Sequence, residues 1–148
     1  MKKLKLLLII LWMFIIFMFS HQKADDSSKL SDGLILKTVR IIEKITHKEY
    51  SDEEILNKFV KPVRKLAHFT IYLILGILVY LYIKELQISK IFIISLLICV
   101  LYAVSDEIHQ LFIVGRSGRI FDVFVDSLGS LTGILLMKKV GRLHEKNK

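Results

Sequence analysis

Long apolar runs separated by short charged stretches dominate this chain. Four of them, at residues 4–20, 66–83, 91–113 and 121–137, each approach the ~20 residues that carry an α-helix across a bilayer. The second and third are joined by Lys84-Glu85-Leu86-Gln87-Ile88-Ser89-Lys90, a turn so short that the two helices must be antiparallel neighbours. The third reaches the fourth through Val114 to Ile120, where Gly115 and Gly118 permit a tight turn. The pattern predicts an all-α integral membrane protein, a four-helix up-and-down bundle. Residues 20–64, between the first and second spans, form the one long hydrophilic stretch, and it also reads as helical. Leu34, Ile35, Ile41, Ile42 and Ile45 recur at helical spacing among Lys37, Arg40, Glu43 and Lys44, as in an amphipathic helix on a membrane surface or against the bundle. Ser51-Asp52-Glu53-Glu54 matches a capping box, so a short helix is expected to start there and stop before Pro62, which then opens the second membrane helix.

With 148 residues and 53% apolar content, the chain is expected to form a single domain over 1–148. Its formal charge of +8 is spread as Lys and Arg flanking the apolar runs, not as one basic face, so nucleic acid is not an expected partner. The single cysteine, Cys99, lies within an apolar run and reads as a small core or lipid-facing residue. Lys2, Lys3 and Lys5 before Leu6 to Phe19 have the order of a secretory signal, but the run ends in Phe-Met-Phe-Ser-His without a small-x-small pair. A retained anchor is expected. Lys and Arg number ten on the side of the termini and twelve on the other. The short segments on the terminal side are the more densely basic, and short flanks weigh more in the positive-inside bias. Both termini are therefore expected in the cytoplasm and residues 20–64 outside it.

An up-and-down bundle brings the start of the second span, the end of the third and the start of the fourth to one membrane face. Those places hold Arg64, Lys65, His68 and Tyr72, then Asp106, Glu107, His109 and Gln110, then Arg116, Arg119, Asp122 and Asp126. Residues three or four apart share a helix face, so Arg64, His68, Tyr72 and Gly76 form one stripe; Tyr102, Asp106 and His109 with Gln110 a second; Asp122, Asp126, Gly129 or Ser130, and Gly133 a third. At ~1.5 Å per residue, Asp126 lies about 7 Å along its helix from Phe121, a depth that demands a partner or water. The three stripes are expected to converge. Gly129-x-x-x-Gly133 offers a small face for close helix approach, and Trp12, Tyr80 and Tyr82 read as aromatics at the interface or against lipid.

Three readings of the cluster follow from its residue types. In the favoured one, Arg64, Lys65, Arg116 and Arg119 pair with phosphate oxygens of an anionic lipid or lipid-linked cell-wall precursor such as a polyprenyl-phosphate, with Glu107 and Asp122 steadying the arginines. Lys65, His68, Tyr72, Asp106, Glu107, His109, Gln110, Arg116, Arg119, Asp122 and Asp126 then form the ligand-binding set. The enzyme alternative is a membrane-embedded hydrolase or transferase acting on a phospholipid, with His68, Asp106, Glu107 and His109 moving protons. Asp106-Glu107-Ile108-His109 is no recognised zinc spacing and no Ser or Cys nucleophile motif stands out, so neither metal nor cofactor is expected. The structural alternative makes the polar groups register pins between helices, for example His68 with Glu107, or Asp122 with Arg116 or Arg119. Transport finds no support in an internal repeat or broken helix.

Lys65-Leu66-Ala67-His68-Phe69, Ser105-Asp106-Glu107-Ile108-His109-Gln110, and Gly115-Arg116-Ser117-Gly118-Arg119 with Asp122 occur in the order seen in the VanZ-like family of bacterial membrane proteins, which this chain resembles. Ser20-x-Gln22 with Ser27, Ser28 and Ser31 is similar to that family's segment after its anchor. At Asp126 the family more often carries asparagine. The resemblance covers most of the chain and implies a multi-pass protein of the bacterial cytoplasmic membrane. For the founding member it implies a link to glycopeptide resistance, teicoplanin in particular, without supplying a mechanism.

Overall fold

A computed structural model describes residues 2–21, 32–33, 35–40, 51–115 and 118–146. Among the described residues there are four long helices: α1 (Lys2–His21), α2 (Asp52–Glu85), α3 (Ile91–Gln110) and α4 (Ile120–Lys146). All four are long and apolar enough to cross a membrane. Leu4, Leu7, Ile93, Leu101 and Phe124 are each more than half exposed, an arrangement that only a lipid surround makes favourable. This is a multi-pass, all-α membrane bundle.

The helix boundaries follow local chemistry with one departure. Ser51 accepts from the Glu54 amide while the Glu54 carboxylate reaches back to the Ser51 amide, closing the expected capping box. The helix it opens does not stop before Pro62; it runs through the proline as one 34-residue helix, so the two predicted helices are a single element. Proline forfeits one backbone bond, to the carbonyl of Lys58. Lys58 and Pro62 are both exposed, so water can take that carbonyl, and propagating a helix already nucleated on both sides costs little. At ~1.5 Å per residue α2 is about 50 Å long, against a bilayer core of about 30 Å, so its first turns project beyond the apolar layer. Between α2 and α3 the chain reverses through two left-handed residues, Gln87 and Lys90, and after α3 through Gly115, whose positive φ suits a residue without Cβ. Of the predicted amphipathic segment, 35–40 is helical with Ile35 buried, and Arg40 pairs with Asp52 at the start of α2. Residues 41 to 50, with Ile41, Ile42 and Ile45, lie outside the described residues.

Chain direction alternates, so α2 and α4 run parallel, as do α1 and α3. In a square bundle such pairs sit on diagonals; here α2 and α4 form the most extensive contact in the molecule. Glycine makes this approach attainable. A Cβ on Gly129 would lie 2.3 Å from the Phe69 carbonyl oxygen, one on Gly133 2.2 Å from that of Leu73, and one on Gly76 2.3 Å from that of Ser130. The Gly129 and Gly133 pair thus acts as the expected small face, with Gly76 answering it from α2. Ser130 completes the contact, donating to the Tyr72 carbonyl at 3.2 Å.

α1 packs against α2 and α3 and makes little contact with α4. Trp12 is half-buried and donates its indole N–H to the Ile71 carbonyl at 2.9 Å, while Tyr80 is buried and so packs inside the protein instead of facing lipid as its sequence position suggested. An indole N–H halfway along a membrane helix has no water to bond and turns to a neighbouring carbonyl. Tyr102 likewise donates to the Met13 carbonyl, at 2.6 Å. Cys99 is a core residue.

Candidate functional site

The end of α1, the membrane entry of α2, the end of α3 and the start of α4 meet at one face, and the predicted polar residues gather there. His68 Nδ1 stands 3.5 Å from Asp126 Oδ1, joining α2 to α4. Asp126 is completely buried, and Asp106, Glu107 and Gln110 are nearly so. The Tyr72 ring of α2 lies 6.2 Å from that of Tyr102, one turn before Asp106 on α3, so α2, α3 and α4 all bring polar residues to this end of the bundle. The three stripes meet at this end, except that His109 of the second turns to α1.

Each carboxylate is held differently. Asp106 Oδ2 accepts from Ser20 Oγ at 2.8 Å and from Gln110 Nε2 at 3.3 Å, binding α3 to the end of α1 and to its own next turn. Glu107 Oε1 accepts from the backbone N–H of Arg119 at 2.7 Å, tying the loop before α4 to the end of α3. Of the register pairs suggested by sequence, that of Asp122 with Arg116 falls outside the described residues. His68 pairs with Asp126, which lies on the α4 face that the glycines press against α2. Glu107 instead faces the turn where Gly118 lets the chain close on it: a Cβ there would meet the Glu107 carbonyl at 2.9 Å. Arg116 and Ser117 lie outside the described residues.

His109 takes a separate place. It bonds His21 across 3.2 Å, Nε2 to Nδ1, and its ring lies 4.6 Å from that of Phe17, so it faces α1 and not the His68–Asp126 pair. Lys65 sits with its ammonium 4.1 Å above the Phe121 ring, at the end of α4 where Arg119 also lies. The mouth is therefore basic and the interior mostly acidic. Ser20 and His21 were not among the candidates read from sequence. The signal was present, since α1 must end at the face where the charged segments meet, and a serine and a histidine that close an apolar run there stand ready for buried carboxylates. Ser130 was legible only as a small residue; its bond to the Tyr72 carbonyl depends on the helix approach.

A family model described as VanZ/LLP1 matches residues 5–141. The chain belongs to the VanZ/LLP1 family. The match takes in all four membrane helices, and with them the ends of α1 and α3 and the starts of α2 and α4 that build the VanZ-like site. Searches of the curated proteins and of the solved structures found no match.

Proposed function

We propose that this VanZ-like protein binds the phosphate-bearing head group of an anionic lipid or lipid-linked cell-wall precursor at the outer face of the bacterial cytoplasmic membrane, with both termini inside the cell. The observation that carries the reading is the 2.7 Å bond from the Arg119 amide to Glu107. It fixes the backbone that bears Arg119 just before α4, the same helix end at which the Lys65 ammonium lies over the Phe121 ring. An arginine pre-positioned in this way offers a planar donor fork to phosphate oxygens without first ordering its loop. Masking such a head group lowers what an envelope-targeting glycopeptide of the teicoplanin type can reach. Photocrosslinking a polyprenyl-phosphate probe in native membranes tests this: Arg119→Ala is expected to cut labelling about tenfold or more while the protein stays folded. Unchanged labelling overturns it.

The His68–Asp126 pair, 3.5 Å apart beside Glu107, favours a second reading as a hydrolase or transferase of phospholipids, since an imidazole and two carboxylates suffice for proton transfer. His109, directed at α1, takes no part in that version. Turnover of a phospholipid by purified protein, abolished in Glu107→Gln, supports it; intact lipid after prolonged incubation ends it.

A further inference from the structure

The two histidines that join α1 to α3 stand apart from the His68 and Asp126 pair. His21, the last residue of α1, and His109, in the last turn of α3, meet Nδ1 to Nε2 at 3.2 Å. The Phe17 ring lies beside both, 5.7 Å from that of His21 and 4.6 Å from that of His109. His21 is exposed and His109 half-buried, so water reaches the pair from the membrane face. Among the described residues neither ring has an ionic partner. The charged groups of the neighbouring elements are engaged elsewhere: Asp106 of α3 takes the Ser20 hydroxyl, Glu107 closes on the Arg119 amide before α4, Lys65 of α2 lies over the Phe121 ring, and His68 of α2 faces Asp126 of α4.

A hydrogen bond from one ring nitrogen to another needs one of them to be bare. When both rings are neutral, one donates and the other accepts. One added proton keeps the bond, as imidazolium to imidazole, with the charge beside the Phe17 ring. A second proton leaves two donors aimed at each other and two positive charges in contact. Histidine is the side chain that changes its charge between about pH 5 and 8. The helix ends depend on few such bonds: α1 packs less on α3 than on α2, and besides the histidines it is bonded to α3 by Ser20 to Asp106, one residue away, and by Tyr102 to the Met13 carbonyl, about two turns deeper. We propose that His21 and His109 form a proton-operated clasp, which holds the end of α1 on α3 until both rings carry a proton and then releases it. The clasp is closed at about pH 8, stays closed with one proton shared, and opens towards about pH 5. Release pulls on the neighbouring Ser20 to Asp106 bond, so acid also admits water to Asp106, which is 3% exposed while the clasp is closed.

The test uses the full chain, purified in detergent in a Cys99→Ala background, with nitroxide labels on Met18→Cys and Ile108→Cys, positions 48% and 52% exposed near the ends of α1 and α3. Their spacing is read by electron spin resonance. Lowering the pH from about 8 to about 5 is expected to raise a longer spacing severalfold at the expense of a short one, and the change should reverse on neutralising. His21→Gln and His109→Gln each remove the possibility of a double charge, so each should abolish the pH response. A spacing that does not respond to pH, or a response that survives in either variant, overturns the clasp. A second measurement needs no substitution: with the histidine nitrogens isotopically labelled, nuclear magnetic resonance should show a coupling through the hydrogen bond between the two rings near pH 8 and its loss near pH 5. Absence of that coupling near pH 8, or its persistence near pH 5, overturns the proposal as well.

Discussion

At the scale of single residues, the buried bonds have few substitutes, because a membrane interior offers no water to replace a lost partner. Ser20→Ala removes the 2.8 Å donor to Asp106 and is expected to lower stability by about 1 kcal/mol, the usual worth of an interhelical bond in membranes. Thermal unfolding in detergent, read with Asp106→Asn and the double variant as a cycle, should show the two changes to be coupled. Gly133→Ala should do more harm for a smaller chemical change, since its new methyl would lie 2.2 Å from a backbone oxygen that cannot rotate away. A loss of about 1–3 kcal/mol, the range for overpacking, or failure to yield a monodisperse protein is expected, whereas Gly33→Ala, with open space around it, should be close to neutral. Most of the site was legible at this scale. His68, Tyr72, Asp106, Glu107, Gln110, Asp122 and Asp126 are ionisable or polar groups in apolar runs, and such groups must face inward. Their pairing was not legible. Whether His68 meets Glu107 or Asp126 depends on helix rotation, which glycine contacts between elements decide.

Among the elements, α2 is the one that spacing alone misread. A proline after a capped turn reads as a boundary, and nothing in the local sequence says that both halves share an axis. The capping box at Ser51 should then stabilise one long helix: Ser51→Ala is expected to fray residues 52 to 55, seen as faster amide exchange there, at a cost of about 1 kcal/mol and with little change near Tyr72. α3 and the start of α4 were read to within three residues because their flanking turns carry Gly115, Gly118 and the charged 84–90 segment. α4 runs on past the predicted end at 137 to Lys146, where a charged sequence gives no hydrophobic signal but stays helical. α1 was read correctly as a span but not as a contributor to the site. Its apolar sequence gives no sign that Trp12 donates to Ile71, since that bond is set by which face α1 turns towards α2.

For the whole molecule, periodicity and hydrophobic run length were enough to predict four crossings in alternating directions, and the shared face followed from counting. The uneven packing did not follow. Small residues at 76, 129, 130 and 133 draw the parallel pair α2 and α4 together and leave α1 on the far side of the α2–α3 groove. Orientation rests on charge density alone, and single cysteines placed at Ser117 and Asn147 in a background lacking Cys99 should react with an impermeant reagent from outside and inside respectively. The placement of α1 also bears on biogenesis. α1 emerges before its partners: Ile71 follows on α2, then Tyr102 and Asp106 on α3, so Asp106 enters the bilayer only when α3 does. A disulfide engineered between positions 20 and 106 should therefore appear on ribosome-bound chains only after α3 has cleared the exit tunnel. Until that moment α1 has only α2 to lean on, through the bond from Trp12 to the Ile71 carbonyl.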